Sequence, residues 1–356
     1  MIRRGLGIAV SLAVLAIGAG SAAAREDALA QVGPGYILSK DLAGGGSEPA
    51  NDISGIACLP AASGPRHCLL VNDENAGAQF VTIEGTTIRP GPEIRLVGAE
   101  PSAATLGTAP TEHRCSEGKG RFSELDGEGI AYAAPYFYVI GSHGCSRRGN
   151  TFKLSAFVLA RIRFDGSSPP TGREPVETTY RFSDALRAPA PLREFFAVDL
   201  QSRSKGAHSR GLNVEGLAVV AGTLHAGLRA PTLDGEAFLV TVPVEALFAP
   251  GHAALQAEPR LIPIATGKRT GIRDLTPLPD GRLLVLTGPA QEQEVGYGLI
   301  GLDPLTGATT RLGRLPELRE AEDEGKPEAI ALVEPGRLLV FFDSLPNGAP
   351  RAYALP

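Results

Sequence analysis

Short apolar runs separated by turns dominate the chain, and one pattern recurs. A polar residue is followed by a short one, then Ile or Leu, then another short one. The instances are Ser54-Gly55-Ile56-Ala57, Glu128-Gly129-Ile130-Ala131, Glu215-Gly216-Leu217-Ala218, Arg273-Asp274-Leu275-Thr276 and Glu328-Ala329-Ile330-Ala331. Each leads into a turn signal: 60–65, Ala134-Pro135, Ala221-Gly222, Pro279-Asp280-Gly281 and Glu334-Pro335-Gly336. A β-rich run follows every turn, at 68–71, 137–140, 224–227, 283–286 and 338–342. Strand, turn and strand in fixed order predict a hairpin, repeated five times. Further strands are expected at 156–163, 178–182, 237–242, 260–264, 299–302 and 309–312.

Units recurring every 50 to 85 residues or so, each with up to four strands, predict the blades of an all-β propeller. The direct count is five blades; six follow if 189–210 hides a degenerate one. The last unit has room for three strands only, ending at Arg351-Ala352-Tyr353-Ala354-Leu355. Gly35-Tyr36-Ile37-Leu38 is therefore expected to supply the fourth and close the ring, which removes the exposed strand edges. A β-sandwich sharing these residues by chance would not keep the hairpin order five times over.

In a propeller the first strand of each blade lines the central channel, so equivalent positions share a ring. The first pattern position holds Ser54, Glu128, Glu215, Arg273 and Glu328. Two residues earlier stand Asp52, Asp126, Asn213, Gly271 and Lys326. One mouth of the channel should also collect Asp73, Glu74, Ser142, His143, Arg147, Arg148, Arg229 and Asp343. Two connections add Arg203, Lys205, His208 and Arg210, and Lys268 with Arg269. The opposite mouth is expected to receive nearly uncharged turns. Three glutamates on a narrow ring raise one another's pKa unless cations separate them. Three arrangements meet that demand. Arg229 and Arg273 can plug the channel as a salt-bridge lattice, the ring can bind a small-molecule ligand or substrate, or Glu128, Glu215, Glu328 and Asn213 can coordinate a hard cation such as Ca²⁺.

Composition narrows the setting. Gly 44 and Pro 29 in 356 residues fit many short strands and turns rather than helices. A net charge of −5 without basic runs gives a nucleic-acid partner little support. Arg3 and Arg4, the apolar stretch 6–17 and Ser21-Ala22-Ala23-Ala24 read as a signal peptide over 1–24. The expected order is then a short linker at 25–34 and one domain at 35–356, exported to the periplasm or beyond, with no membrane span after signal removal. An oxidising destination makes the four cysteines two disulfides. Cys58 and Cys68 flank one hairpin turn, leaving Cys115 to pair with Cys145.

The catalytic candidates are few. No Gly-x-Ser-x-Gly elbow is present, and Ser142 and His143 are adjacent, so on a strand they point to opposite faces. His143 is the candidate general base, with Glu128 and Glu215 as catalytic carboxylates. Ser142, Arg147, Arg229 and Arg273, together with Arg148 and Arg210, are candidates to hold an anionic substrate. A solvated or carbonyl-bonded role is the plain alternative for His143 and for the surface arginines.

The stretches Asp126-Gly127-Glu128-Gly129-Ile130-Ala131, Tyr138-Val139-Ile140-Gly141-Ser142-His143, Asn213-Val214-Glu215-Gly216-Leu217-Ala218, Gly227-Leu228-Arg229-Ala230-Pro231 and Gly271-Ile272-Arg273-Asp274-Leu275 together resemble the bacterial family called domain of unknown function 3616. The resemblance runs from about residue 52 to 343. That family looks related to esterase-like phytase propellers, which implies a propeller fold and hydrolysis of an ester or phosphoester. It carries over no catalytic residues. The expected function is thus metal-assisted hydrolysis of a small phosphoester, ester or lactone, against a non-catalytic binding or protein-interaction propeller.

Overall fold

A computed structural model describes residues 28–44, 48–60, 64–116, 122, 124–147, 149–200, 211–291, 293–320 and 322–356. Five sheets, antiparallel apart from one short parallel edge pair, stand in a ring and form a five-bladed β-propeller. In the second, third and fourth blades the strands follow chain order from the axis outward. The five inner strands are Ile53–Cys58, Gly127–Ala133, Asn213–Val220, Thr270–Pro277 and Asp323–Glu334. Each contains one copy of the repeated pattern and packs against the inner strand of the next blade, and the fifth returns to the first.

The small pattern residues are explained by that packing. A Cβ on Gly55 would meet the Glu128 carbonyl oxygen at 2.9 Å, and one on Gly129 would meet the Glu215 carbonyl oxygen at 2.6 Å. Inner strands approach one another closely enough that a side chain there would collide with the neighbouring backbone.

The second strands read as unbroken apolar runs because both of their faces are buried. Leu338, Val340 and Phe342 pack toward the fourth blade, while Leu339 and Phe341 pack toward the first. Leu284 and Leu286 likewise face the fifth blade, and Leu283 and Val285 the third. Alternation along each strand thus fills the wedge on either side, and five apolar clusters occupy the five wedges.

The ring closes through the N-terminal segment, as expected, with Tyr36 N–H donating to Pro350 O (2.9 Å) and residues 30–32 joining it. Gln31 bridges Tyr353, Val32 N–H donates to Ala352 O (2.8 Å), and Ala354 N–H donates to Ala30 O (2.9 Å). Part of the expected linker therefore lies along the last blade. Gly33 then takes φ +69°, turning the chain so that Ile37–Leu38 runs parallel to the outer strand of the first blade. The alternative of a sixth blade at 189–210 finds no strand in the described part of that stretch, where Ala190–Arg193 is helical. At 156–157 the expected strand gives way to a 3₁₀ turn, and Phe182 lies in a helix rather than a strand. The expected signal peptide lies outside the described residues.

Cys58 and Cys68 are register partners across the first hairpin and are disulfide-bonded; Cys115 is bonded to Cys145. Among the described residues no helix is long and apolar enough to cross a membrane.

Candidate functional site

The ring geometry brings distant residues to one axis. Glu128, Glu215 and Glu328, from the second, third and fifth inner strands, each offer a carboxylate oxygen within 4.8 Å of the others. All three are buried, as are Arg229 and Arg273. Such a group of carboxylates can hold a metal ion.

Two of the three carboxylates already have cationic partners. Arg229 Nη1 donates to Glu215 Oε1 at 2.7 Å, while its Nε donates to the Ala290 carbonyl at 3.2 Å. Arg273 Nη2 donates to both carboxylate oxygens of Glu328, and its Nε lies 3.3 Å from Glu215 Oε2. Glu128 differs: among the described residues no arginine bonds to it. Burial, followed by the charges of Glu215 and Asp126, pushes its carboxyl well above the usual range. Burial acts on Glu215 in the same sense, but Arg229 and Arg273 outweigh it and hold that carboxyl below its ordinary value. Neighbouring carboxyls are thus driven apart, one toward the protonated form and one toward the ionised.

Acids continue outward from the ring. Burial and then the hydrogen bond its protonated carboxyl donates to Asp343 raise Asp52 to about 7; burial and the charges of Asp52 and Asp126 raise Asp73 to about 8. Asp126 is pushed up by burial, against the hydrogen bond from Ser142. Ser142 Oγ donates to Asp126 Oδ2 and accepts the Gly144 N–H at 3.3 Å, so its hydroxyl braces the mouth. Asp126 itself sits at φ +53°, a left-handed conformation uncommon outside glycine. Arg147 retains solvent-exposed surface; burial lowers its pKa, but Glu215 and Glu128 outweigh that and keep it charged. Asn213 is buried, and its Oδ1 has no hydrogen-bond partner among the described residues. Among the described residues carboxyls outnumber guanidiniums around this mouth.

The structure does not bring His143 to the carboxylates. Its side chain is wholly buried, with ring centroids 5.7 Å from Phe157 and 5.4 Å from Phe182, and its Nδ1 bonds the Gly141 carbonyl at 2.9 Å. Burial lowers its pKa to about 4. A φ of +52° at His143 breaks the strand alternation and turns the ring into the core. A general base needs access to the reacting group, and this imidazole lacks it. Arg148, Arg203, Lys205, His208 and Arg210 lie outside the described residues.

The opposite face is also more charged than expected. A cavity of about 600 Å³ beside the third and fourth blades is lined by His225, Glu258, Arg260, Asp280, Arg282 and Asp303. Sequence reading missed Asp274 as well. It occupies a position held by Gly or Ala in the other four units, yet Oδ1 accepts from Leu275 N–H and Oδ2 from Ile330 N–H, both at 2.7 Å. It thereby staples the fourth inner strand to the fifth. Its mismatch with the pattern was the available signal.

The family model described as "Protein of unknown function (DUF3616)" matches residues 117–207 and 178–351. The chain belongs to this family. No curated protein matches the sequence. Among solved structures, this DUF3616 chain is similar to MPT-4, a mannose phosphorylase from Leishmania mexicana, in complex with phosphate ion. Identity is 9%, with 94% of this chain and 91% of that one covered, at a TM-score of 0.45. It is also similar to the α-L-arabinofuranosidase PaAbf62A from Podospora anserina in complex with cellotriose. There identity is 12%, with 93% and 97% covered, at a TM-score of 0.44.

Proposed function

We propose that this DUF3616 chain is an exported hydrolase acting on a small phosphoester, ester or lactone at the acidic mouth of its channel. The observation that carries the reading is Glu128: a buried carboxyl beside two carboxylates, with no arginine bound to it among the described residues. A buried carboxyl that no arginine neutralises is left free to give up its proton and face a cation. The same oxygens suit a hard cation, for which we propose Ca²⁺, with Asn213 Oδ1 as a further donor. Such an ion supplies Lewis-acid polarisation of a carbonyl or phosphoryl oxygen. Arg147, the more exposed guanidinium, is assigned to the substrate's anionic group. Two disulfides fit an oxidising, exported setting.

The test is a turnover screen of phosphoesters, esters and lactones with added Ca²⁺, Mg²⁺ or Zn²⁺. Activity that is lost in Glu128→Gln and Glu215→Gln proteins of native melting temperature supports the reading; no turnover on any substrate overturns it. A second reading draws on the double contact of Arg273 with Glu328 and the Arg229–Glu215 pair. Under it the ring is a structural plug in a non-catalytic binding propeller, and ring substitutions alter stability alone.

A further inference from the structure

Arg147 differs from the other guanidiniums at the ring. Arg229 and Arg273 are already engaged by Glu215 and Glu328. Arg147 is exposed and feels the charges of Glu215, Glu128 and Asp73, yet among the described residues no hydrogen bond or ion pair holds its side chain. Its place is therefore set by its backbone. That backbone belongs to no strand, for the second blade's hairpin ends at Gly141 and the next strand begins at Leu159. The ring glutamates and the two engaged arginines, by contrast, are all carried by strands.

What fixes the loop is a clamp built on Cys145, two residues before Arg147. Its disulfide to Cys115 is buried in the apolar wedge between the second and third blades. The Cys115 side is itself anchored, because Arg114 N–H donates to Ala197 O at 2.8 Å. Two backbone bonds reinforce the bridge: Ser116 N–H donates to Asn150 O at 2.6 Å, and Phe152 N–H to Ser116 O at 3.3 Å. His113 stacks on Phe152 with ring centroids 4.1 Å apart. Within the loop, Ser146 N–H donates to Thr151 O and Thr151 N–H to Ser146 Oγ, both at 3.0 Å, which closes the turn that presents Arg147. A guanidinium meets an anion with little reorganisation only when its backbone is already in place. The other disulfide cannot serve this purpose. Cys58 and Cys68 pair at the end of the first blade's inner hairpin that lies away from the mouth.

We propose that the Cys115–Cys145 bridge is a positioning element for anion binding at the mouth, holding Arg147 where a substrate's phosphoryl or carboxylate group meets it. The inference rests on the hydrolase reading for the assignment of Arg147 and adds the two residues that act through it. The bridge itself touches no ligand.

The experiment is calorimetric titration of the mature protein with inorganic phosphate at pH 7, with and without CaCl₂, alongside melting temperatures. Loss of either disulfide lowers the melting temperature, since each closes a loop of the unfolded chain. Phosphate affinity separates the two. We expect it to weaken about tenfold in Arg147→Met and in Cys115→Ala with Cys145→Ala, to be intermediate in Arg147→Lys, and to be unchanged in Cys58→Ala with Cys68→Ala. If the Cys115 and Cys145 double variant fails to fold, Ser146→Ala opens the same loop with both disulfides intact and should weaken phosphate about threefold. Absence of phosphate binding by the parent, full affinity in Arg147→Met, or equal loss in the two disulfide variants would overturn the proposal. Full affinity in the Cys115 and Cys145 variant, or in Ser146→Ala where that variant does not fold, would overturn it as well. Phosphate binding is read without catalysis, so a turnover screen without activity strikes the hydrolase reading and leaves these outcomes standing.

Discussion

Arg273 of the fourth blade holds Glu328 of the fifth through one nitrogen that meets both carboxylate oxygens. Its Nε faces Glu215 of the third blade at 3.3 Å, so one guanidinium links three blades at the axis. Removing it leaves Glu328 without this partner and strips Glu215 of one of its two arginines. Arg273→Met should lower unfolding free energy by about 3–5 kcal/mol, the usual cost of orphaning a buried charge. Arg273→Met with Glu328→Gln should recover part of that loss, because the stranded charge is gone. Denaturant unfolding of the four proteins in the cycle measures both effects.

Inner-strand crowding makes a steric prediction. Gly129→Ala places a Cβ 2.6 Å from the Glu215 carbonyl oxygen and 2.9 Å from Leu217 Cβ. Backbone atoms cannot swing aside as a flexible side chain can. The substitution should cost about 1–3 kcal/mol, as overpacking does. At Gly222, where φ is +75° but nothing lies within 4 Å, the same change should cost less and act through backbone strain alone. Melting temperatures of the two variants decide the order.

Stability should fall as pH rises through the neutral range. Asp52 and Asp73 have folded pKa values raised to about 7 and about 8, so the native state holds protons that the unfolded state releases lower on the scale. Their contribution is present below the unfolded value, near 4, and is lost as pH climbs through 7 and 8. Asp73→Asn should flatten that decline and melt higher than the parent at pH 8. His143 has the opposite sign: burial lowers it to about 4, so its contribution is lost as pH falls from 6.5 toward 4. His143→Asn, whose side chain tolerates the left-handed backbone, should flatten the acid limb and leave the alkaline limb unchanged. Thermal melts across pH 4 to 9 read out all of these slopes.

Cation binding should stabilise the fold in proportion to occupancy, by about 2.7 kcal/mol when Ca²⁺ stands at a hundred times its Kd. Because Glu128 is held toward its protonated form, binding should release protons and weaken as pH falls. Glu128→Gln should abolish the stabilisation. Calorimetry in buffers of different ionisation enthalpy counts the protons released.

Much of the architecture was legible because it rests on a repeat. The five copies around Glu128, Glu215, Arg273, Glu328 and Ser54 mark the inner strands, and a ring converts equal position into proximity. Cys58 and Cys68 were legible for the same reason, as register partners across one hairpin. What escaped depends on single backbone angles and on contacts outside the repeat. The φ of +52° that turns His143 into the core has no signature in Gly141-Ser142-His143-Gly144. Gly33 redirects the N-terminal segment, so residues near 31 join Tyr36 against the last blade while Ile37–Leu38 pair with the first. Charge assignment within the ring also needed coordinates, since only geometry distinguishes Glu128 from the two arginine-bound glutamates.

The most direct test of the central claim is a crystal structure of the mature protein grown at neutral pH and soaked with calcium and phosphate. The account predicts an ion about 2.3–2.6 Å from a Glu128 oxygen, with Glu215 and Glu328 gathered around the same centre. Glu128 found bonded to an arginine with no ion beside it, or the three carboxylates found dispersed, would contradict it.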